Sequence, residues 1–289
     1  MSGKIGIIGG SGLYDMKMDN RKEIEVSTPF GLPSDSFITG KLNGKEVVFL
    51  ARHGRGHRIL PSELNYRANI YGMKKLGVSH IISVSAVGSL REELKPQDFV
   101  LPDQYVDRTN QARKMTFFGD GIVAHIAFGE PVCERLRNIL YKSAQDLDIR
   151  IHNGGTYINI EGPAFSTKAE SFLYRSWGMD VIGMTNLAEA KLAREAEICF
   201  ASIAAITDYD CWHKSEEAVT VEMILENLNK NVENTKRIIN RAITLIPEDE
   251  DCPCQHALKD AIITSFEAVP DELKKKLDII IGKYIRQRL

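Results

Sequence analysis

The chain lacks the features that point to a membrane or to nucleic acid. No uninterrupted apolar run approaches the roughly 18 residues that a membrane helix needs. The net charge is only -2, from 37 basic and 39 acidic residues, so no positive surplus favours an anionic polymer or membrane. The first apolar stretch spans about four residues, which is shorter than a signal peptide requires. We therefore expect a cytoplasmic protein that holds any anionic substrate with a local cluster of residues.

Cysteine is also scarce, with five residues in the chain. Three of them lie apart among apolar or helical neighbours and are interpreted as small core residues: Cys133, Cys199 and Cys211. Cys252 and Cys254 flank one proline in an acidic loop, where they can form a strained disulfide, ligate a metal with His256, or stay reduced. Because no second cysteine pair accompanies them, the metal hypothesis is weak, and a reduced loop is favoured.

The order of apolar and amphipathic segments predicts one α/β domain. Hydrophobic residues make up 43% of the 289 residues, enough for a sizeable core. The predicted strands are 4–8, 46–51, 80–85, 99–101, 155–160, 181–184 and 198–206. The predicted helices are 61–75, 134–147, 166–177, 188–196 and 219–245. Strands that alternate with helices favour a central mixed or mostly parallel sheet flanked by helices.

Two further segments complete this organisation. Residues 103–121 are predicted to be a long irregular segment, which is usually functional in a compact domain. The main domain is predicted to cover 1–246, and residues 247–289 to form a loop with a helical appendage of the same domain. The helices expected in that appendage are 256–267 and 271–288.

Two carboxylates follow the last predicted strand, in the run Thr207-Asp208-Tyr209-Asp210. Side chains at i and i+2 of an extended segment point the same way, so both can face one small molecule. Burial and a neighbouring like charge both raise a carboxyl pKa, so one of them can hold a proton. Such a pair suits a heterocycle with a ring nitrogen and an exocyclic amine. The alternative is an ordinary acidic turn.

Small or basic residues follow three other predicted strands. The glycine-rich turn around Ser11 lacks the glycine spacing and the later acidic residue of a dinucleotide site, but its backbone amides can cradle an anion. Arg52 and His53 supply a cation with phosphate-matching geometry and a titratable donor. Ser85 and Ala86 supply a hydroxyl and close backbone approach. Each can be a plain turn, yet together they predict a phosphate or carboxylate site at one sheet edge.

Three more positions are candidates for contact with an organic ligand. Phe165 follows a rigid Glu-Gly-Pro turn and can stack on a flat base, although a core phenylalanine is the alternative. Met184 and Thr185 follow a short strand and offer an apolar floor and a hydroxyl. His125 alone is more typical of a core histidine than of a ligand.

In this order, the motifs resemble the trimeric purine type of the nucleoside phosphorylase family. The resemblance covers residues 6 to about 245 and includes the stretches 6–13, 28–31, 50–55, 88–91, 161–163, 169–170 and 207–212. It implies a distorted mixed sheet, and a homotrimer or a dimer of trimers. It also implies phosphorolysis, in which inorganic phosphate attacks the ribose anomeric carbon of methylthioadenosine and releases adenine, a step of purine and methionine salvage. It implies no metal and no organic cofactor.

The resemblance also assigns roles by position. Phosphate contacts are expected from Ser11, Arg52, His53, Ser85, Thr185 and the Ala86 amide. The ribose is expected near Met184, and a 5′-methylthio group near His125, Val221, Ile224 and Leu225. The base is expected to contact Phe165, Ser166, Asp208 and Asp210. Asp208 is the expected N7 donor and Asp210 the expected acceptor from the 6-amino group. Adenine is expected to be preferred because a 6-oxo group would face the carboxylate with a second acceptor. In 6-oxopurine relatives of the family, asparagine stands at the first aspartate.

Some residues depart from the family pattern, and other functions stay open. Ala164 stands where the family usually has arginine, and Ala188 where it usually has proline. These two departures bear on the expected preference for the 5′ substituent of the substrate and on the expected subunit assembly. The Cys252 and Cys254 element resembles a feature of some phosphorylases from hot environments.

The alternatives are a sister phosphorylase for adenosine, methylthioinosine or inosine, a nicotinamide-linked oxidoreductase, and a non-catalytic nucleoside-binding module.

Overall fold

A forked β-sheet forms the centre of the computed structural model, which describes residues 3–10, 12–110, 112–213, 221–248 and 251–286. The strands are β1 (Lys4–Gly9), β2 (Asp19–Ile24), β3 (Phe37–Leu42), β4 (Lys45–Ala51), β5 (Val78–Ser89), β6 (Phe99–Leu101), β7 (Gln104–Arg108), β8 (Ile151–Asn153), β9 (Thr156–Ile160), β10 (Val181–Gly183) and β11 (Cys199–Asp208). One path runs β2-β3-β4-β1-β5-β10-β9-β7. The second branch leaves β5 through β11 and continues to β6 and β8.

The fork makes β5 the central strand. It pairs in parallel with β1 and with β11, and antiparallel with β10. Since β4 is also parallel to β1, four strands, β1, β4, β5 and β11, end at the same edge of the sheet. Ligands of α/β proteins usually bind outside the carboxyl ends of such strands.

Helices cover the sheet. They are α1 (Tyr66–Lys75), α2 (Glu134–Gln145), α3 (Lys168–Ser176), α4 (Asn186–Glu195), α5 (Val221–Leu245), α6 (Asp271–Lys276) and α7 (Asp278–Arg286). Side chains define several of their starts: Asn65 accepts from the Ala68 amide before α1, and Thr167 with Glu170 forms a capping box before α3. Among the described residues, no helix is both long and apolar enough to cross a membrane.

Two hydrophobic cores lie on opposite faces of the sheet. Alternate residues of β4 divide between them, because successive side chains of a strand point to opposite faces. Val48 and Leu50 join a core with α1, α4 and the C-terminal segment, whereas Val47 and Phe49 join a core with α2 and α5. Residues 258–284 contribute to the first core, so the C-terminal segment packs on the main body. The domain boundary at 246 stays a prediction.

The predicted fold class is confirmed, and the predicted strands and most helices are present with shifts at their ends. The single helix predicted over 271–288 is instead two helices, α6 and α7, separated at Leu277. The sequence prediction missed β2, β3 and β8. Strand β2 is exposed along almost its whole length, so it carries no buried apolar alternation to detect. Residues 103–121 were predicted to be irregular but contain β7, and α1 begins at Tyr66 rather than near residue 61.

The predicted helix 256–267 is wrong. The chain there forms a short 3-10 turn, Pro253–His256, and further turns. Its backbone then runs beside residues 123–125: Ile263 N donates to Val123 O at 3.0 Å, and His125 N donates to Ala261 O at 2.8 Å. Amides used in these long-range bonds are not available to a helix, and this tertiary pairing is invisible to local periodicity.

Candidate active site

One pocket of about 270 Å³ lies at the common edge of β1, β4, β5 and β11. Ten residues predicted from the sequence line it: Arg52, His53, Ser85, Ala86, Phe165, Ser166, Met184, Thr185, Asp208 and Asp210. They come from strand ends and turns far apart in the chain. The fold therefore brings the predicted anion-binding residues and the predicted acidic pair to one cavity.

The acidic end of the pocket is built by the last residue of β11 and the turn after it. Thr207 Oγ1 donates to Asp208 Oδ2 at 2.7 Å, and Asp210 N donates to Asp208 Oδ1 at 2.8 Å. Asp210 has φ of 54° and starts a 3-10 turn, so the pair is not extended as predicted. Both carboxyls nevertheless line the same cavity, because the turn folds Asp210 back toward Asp208.

Asp210 is suited to hold a proton. Burial raises the pKa of its carboxyl, and hydroxyls of Ser171 and Ser166 offset only part of this effect. Its Oδ2 atom is buried and has no hydrogen-bond partner of good geometry among the described residues, and the same holds for Ser166 Oγ. Buried polar atoms are normally satisfied, so these two atoms point to a polar ligand in the pocket.

The other end of the pocket contains a neutral histidine. Burial lowers the pKa of His53 to about 4, and the nearby Arg52 cation adds to this shift. His53 Nδ1 lies 2.8 Å from Ile59 O, and its ring stacks on His57 with centroids 4.4 Å apart. Since a carbonyl only accepts, Nδ1 carries the hydrogen and Nε2 is left as an acceptor. It can therefore accept from the P–OH group of hydrogen phosphate.

Arg52 is fixed by a buried ion pair with Glu189, a residue that sequence reasoning did not select. Arg52 Nε donates to Glu189 Oε1 at 2.5 Å, and Nη2 donates to Glu189 Oε2 at 3.1 Å. Further bonds go to Val84 O and Ser83 Oγ, both at 2.7 Å. Burial alone would lower the pKa of Arg52, but the pair with Glu189 outweighs it and the pKa is raised. Within the described part of the chain, these bonds use four of the five guanidinium N–H groups, which leaves one for a ligand.

The N-terminus of α4 adds a second electropositive element. Thr185 is the N-cap residue, lines the pocket, and makes no capping bond with its side chain. The hydroxyl of Thr185 is therefore not committed to the helix, and the positive end of the helix dipole lies beside it. Ser85 Oγ donates to Asn186 Oδ1 at 3.2 Å, so the first helical residue also orders the β5 side of the site.

Arg113 holds the Met184 side of the pocket in place and was not selected from the sequence. Its buried guanidinium donates to Met184 O, and to Glu161 O at 2.5 Å. Nε also pairs with Glu161 Oε1 at 3.1 Å. These bonds connect the turn before Phe165 with the end of β10. The only sequence signal was that Arg113 lies in the long segment 103–121, which was expected to be functional.

Five predicted site residues are not brought to this pocket by the described part of the chain. Ser11 and the side chain of Ile224 lie outside the described residues. Val221 and Leu225 are exposed on the first turns of α5, at 58% and 49%, and do not line the cavity. His125 lines a second cavity near the C-terminal segment, because residues 123–125 pair with that segment. Among the described residues, the expected methylthio contacts are therefore not assembled at this pocket.

Two other residues of α5 line the pocket instead. Val232 and Thr235 face it about three and four turns after the start of the helix. Val232 lies seven residues after Leu225, and Thr235 lies fourteen residues after Val221, so both fall close to the helical face of that earlier pair. Extending the periodicity of Val221 and Leu225 along the helix would have selected them.

Residues 4–244 match the family model described as the phosphorylase superfamily. The match covers every element that lines the pocket. The chain belongs to the phosphorylase superfamily, as the motifs predicted.

Individual proteins of known name are also similar to this chain. The chain is 60% identical to the S-methyl-5'-thioadenosine phosphorylase of Geobacter sulfurreducens, over 97% of this chain and 99% of that protein. It is 56% identical to the protein of the same name from Koribacter versatilis, over 100% and 99%. Its structure is similar to that of a methylthioadenosine phosphorylase from an antarctic soil metagenomic library, with a TM-score of 0.92, 49% identity, and coverage of 96% and 99%. It is also similar to methylthioadenosine phosphorylase from Schistosoma mansoni in complex with adenine, with a TM-score of 0.84, 39% identity, and coverage of 93% and 99%.

We predict that Glu189→Gln lowers the free energy of unfolding by about 3–5 kcal/mol, because it leaves the buried Arg52 cation without a counter-charge. It should also raise the KM for phosphate, since Arg52 loses its fixed orientation. Urea unfolding at pH 6 and initial-rate kinetics measure the two effects.

Glu195→Gln is the matched control for this prediction. Glu195 is buried on the same helix, but burial raises its pKa to about 7, so the carboxyl is mostly uncharged at pH 6. Glu195→Gln should therefore lower the free energy of unfolding by clearly less than Glu189→Gln does. Equal losses for the two variants would show that the charge of Glu189 is not the stabilising feature.

Proposed function

We propose that this protein catalyses the phosphorolysis of 5′-methylthioadenosine. Inorganic phosphate attacks C1′ of the ribose, the N-glycosidic bond breaks, and the products are adenine and 5-methylthioribose 1-phosphate. The observation that carries the proposal is a single pocket with an anion site at one end and two carboxyls at the other. Relatives that share 56% to 60% identity with the whole chain carry the corresponding name.

The anion end positions the nucleophile. His53 Nε2 accepts from hydrogen phosphate, while the remaining Arg52 N–H, the Thr185 hydroxyl and the N-terminus of α4 donate to its other oxygens. Breaking the glycosidic bond builds positive charge on the sugar. The bound phosphate dianion stabilises this charge in the transition state, because a negative charge held close to the anomeric carbon offsets the positive charge that develops there.

The acidic end supports the leaving group. Adenine accumulates negative charge as it departs, and a proton at N7 neutralises this charge. Asp208 donates at N7, and Asp210 holds the 6-amino group. Thr207 Oγ1 donates to Asp208 Oδ2 at 2.7 Å and Asp210 N donates to Asp208 Oδ1 at 2.8 Å, so the Asp208 carboxyl is held in one orientation at this end of the pocket. Burial raises the pKa of the neighbouring Asp210, which favours a proton at this acidic end.

The same carboxyls select the base. A carboxylate acceptor pairs with a 6-amino group, whereas a 6-oxo group would face it with a second acceptor. An unpaired buried polar group costs roughly 1–3 kcal/mol, which corresponds to about tenfold to a hundredfold in specificity. Phe165 is half exposed at the mouth of the pocket, where its ring can cover the base. No metal or organic cofactor is needed for these steps.

A product assay tests the proposal directly. The protein is incubated with methylthioadenosine, adenosine, methylthioinosine and inosine, with and without phosphate, and free base and sugar phosphate are measured. We expect phosphate-dependent release of adenine, with the highest kcat/KM for methylthioadenosine. Dominant turnover of a 6-oxo nucleoside would overturn the assignment of base preference. Nucleoside binding without base release would favour a non-catalytic module.

We predict that Asp208→Asn slows the cleavage of methylthioadenosine by about 10²–10⁴, because an amide cannot supply the proton at N7. Relative use of 6-oxopurine nucleosides should improve, since the amide can donate to a 6-oxo group. The ratio of kcat/KM for methylthioinosine to that for methylthioadenosine measures the change. Asp98→Asn is the control, because Asp98 is a buried carboxyl that does not line the pocket. An unchanged ratio in Asp208→Asn would contradict the proposed discrimination.

We also propose that the protein acts in the cytoplasm, in purine and methionine salvage, as a homotrimer or a dimer of trimers. Large apolar side chains are exposed around α3, next to the mouth of the pocket: Phe165, Phe172, Leu173 and Trp177. Such a patch is typical of an interface. Light scattering coupled to size-exclusion chromatography should give three or six times the chain mass of 32.4 kDa. A monomer across the concentration range would contradict the assembly.

A further inference from the structure

Four of the five cysteines meet in one buried group, which we call the four-cysteine cluster: Cys133, Cys199, Cys252 and Cys254. Their four Sγ atoms all lie within 4.8 Å of one another. The Sγ atoms of Cys133 and Cys252 are 3.8 Å apart. From the sequence, Cys133 and Cys199 are expected to be separate core residues, and no second cysteine pair accompanies the Cys-Pro-Cys loop. The fold supplies that missing pair.

Three separate segments deliver these thiols. Cys133 is the N-cap residue of α2, and its backbone N donates to Phe200 O at 2.8 Å, which fixes it beside β11. Cys199 is the first residue of β11. Cys252 precedes the short 3-10 turn that contains Cys254, and Gln255 N donates to Cys252 O at 2.9 Å. Hydrogen-bonded backbone therefore aims all four side chains at one point.

We propose that the four-cysteine cluster is a structural zinc site in which four thiolates bind one ion in a tetrahedron. Tetrahedral sites made of four cysteines are typical of structural zinc, with Zn–S distances of about 2.3 Å. A tetrahedron of that size has sulfur–sulfur edges of about 3.8 Å, the separation found between Cys133 and Cys252. In two disulfides, each sulfur would be bonded to one partner at about 2.05 Å. Here each Sγ atom instead lies within 4.8 Å of the three others.

The surroundings can balance the charge of this site. Binding of Zn²⁺ by four thiols releases four protons to solvent and leaves a complex with two negative charges. The N-terminus of α2, at Cys133, presents the positive end of a helix dipole to the sulfurs. Arg194 lines the adjoining cavity together with Cys133, Cys252 and Cys254, so a fixed cation lies close by. That cavity also gives an ion a route to the cluster.

The proposed site excludes His256, which the sequence analysis considered as a ligand. His256 Nε2 instead lies 2.7 Å from Asp251 Oδ1. The proposed zinc site also differs from the sequence-based expectation that the protein binds no metal. The reaction does not use this ion, because no member of the four-cysteine cluster lines the active-site pocket. Its role is to connect the starts of α2 and β11 to the C-terminal segment.

Metal analysis and cobalt substitution test the proposal on the full chain. We expect about one zinc per chain after purification in zinc-containing buffer, and a return to that content after chelation and refilling. Cobalt(II) in place of zinc should give intense visible d–d bands and a thiolate-to-cobalt charge-transfer band in the near ultraviolet. Alkylation of the unfolded, unreduced chain should modify all five cysteines once the metal is removed.

Single substitutions locate the site. Cys254→Ser should lose stoichiometric zinc and the cobalt charge-transfer band, whereas Cys211→Ser, which removes the cysteine outside the four-cysteine cluster, should keep both. If Cys254→Ser does not fold, the cobalt spectrum and the number of alkylated cysteines in the unaltered chain test whether the four thiolates bind the metal. The proposal is overturned by a chain that takes up no zinc, by iron in place of zinc, by disulfides among the four cysteines, or by full zinc retention in Cys254→Ser.

Discussion

The buried pair between Arg52 and Glu189 is the interaction on which the pocket depends. It joins the end of β4 to α4, and through Ser83 it includes β5, the strand shared by both branches of the sheet. A guanidinium this deeply buried requires a counter-charge, since the desolvation of an unpaired ion costs several kcal/mol. The pair therefore keeps a positive charge at the floor of the cavity and leaves one N–H for a ligand. The neutral His53 beside it adds an acceptor without adding a second positive charge.

The two ends of the pocket use charge in opposite ways. At the phosphate end, a paired cation and a helix terminus favour an anion. At the base end, burial raises the pKa of Asp210 and allows a carboxyl to keep a proton. Both effects need low water access, and both are supplied by residues of strands and their first following turns. Arg113 joins two walls of the pocket, because it bonds to the backbone at Met184 and to the turn that precedes Phe165.

The sequence predicted the fold class and most pocket residues because both depend on local signals. Apolar runs that end in small, basic or acidic residues are visible without coordinates, and the ends of parallel strands must meet. The partners that fix these residues were not visible. Glu189 and Arg113 lie in a helix and a loop whose local pattern does not show which way they face. The four-cysteine cluster was missed for the same reason, since its members are separated by more than fifty residues except within the Cys-Pro-Cys loop.

The fork at β5 has a mechanical consequence. Because this one strand is hydrogen-bonded to β1, β10 and β11, the anion-binding turn and the acidic turn are attached to the same rigid support. Their separation cannot change without breaking ladder hydrogen bonds, so the reacting groups keep a fixed span through the catalytic cycle. Entry of substrate and escape of adenine are thus left to the rim of the cavity, where Phe165 is the half-exposed side chain.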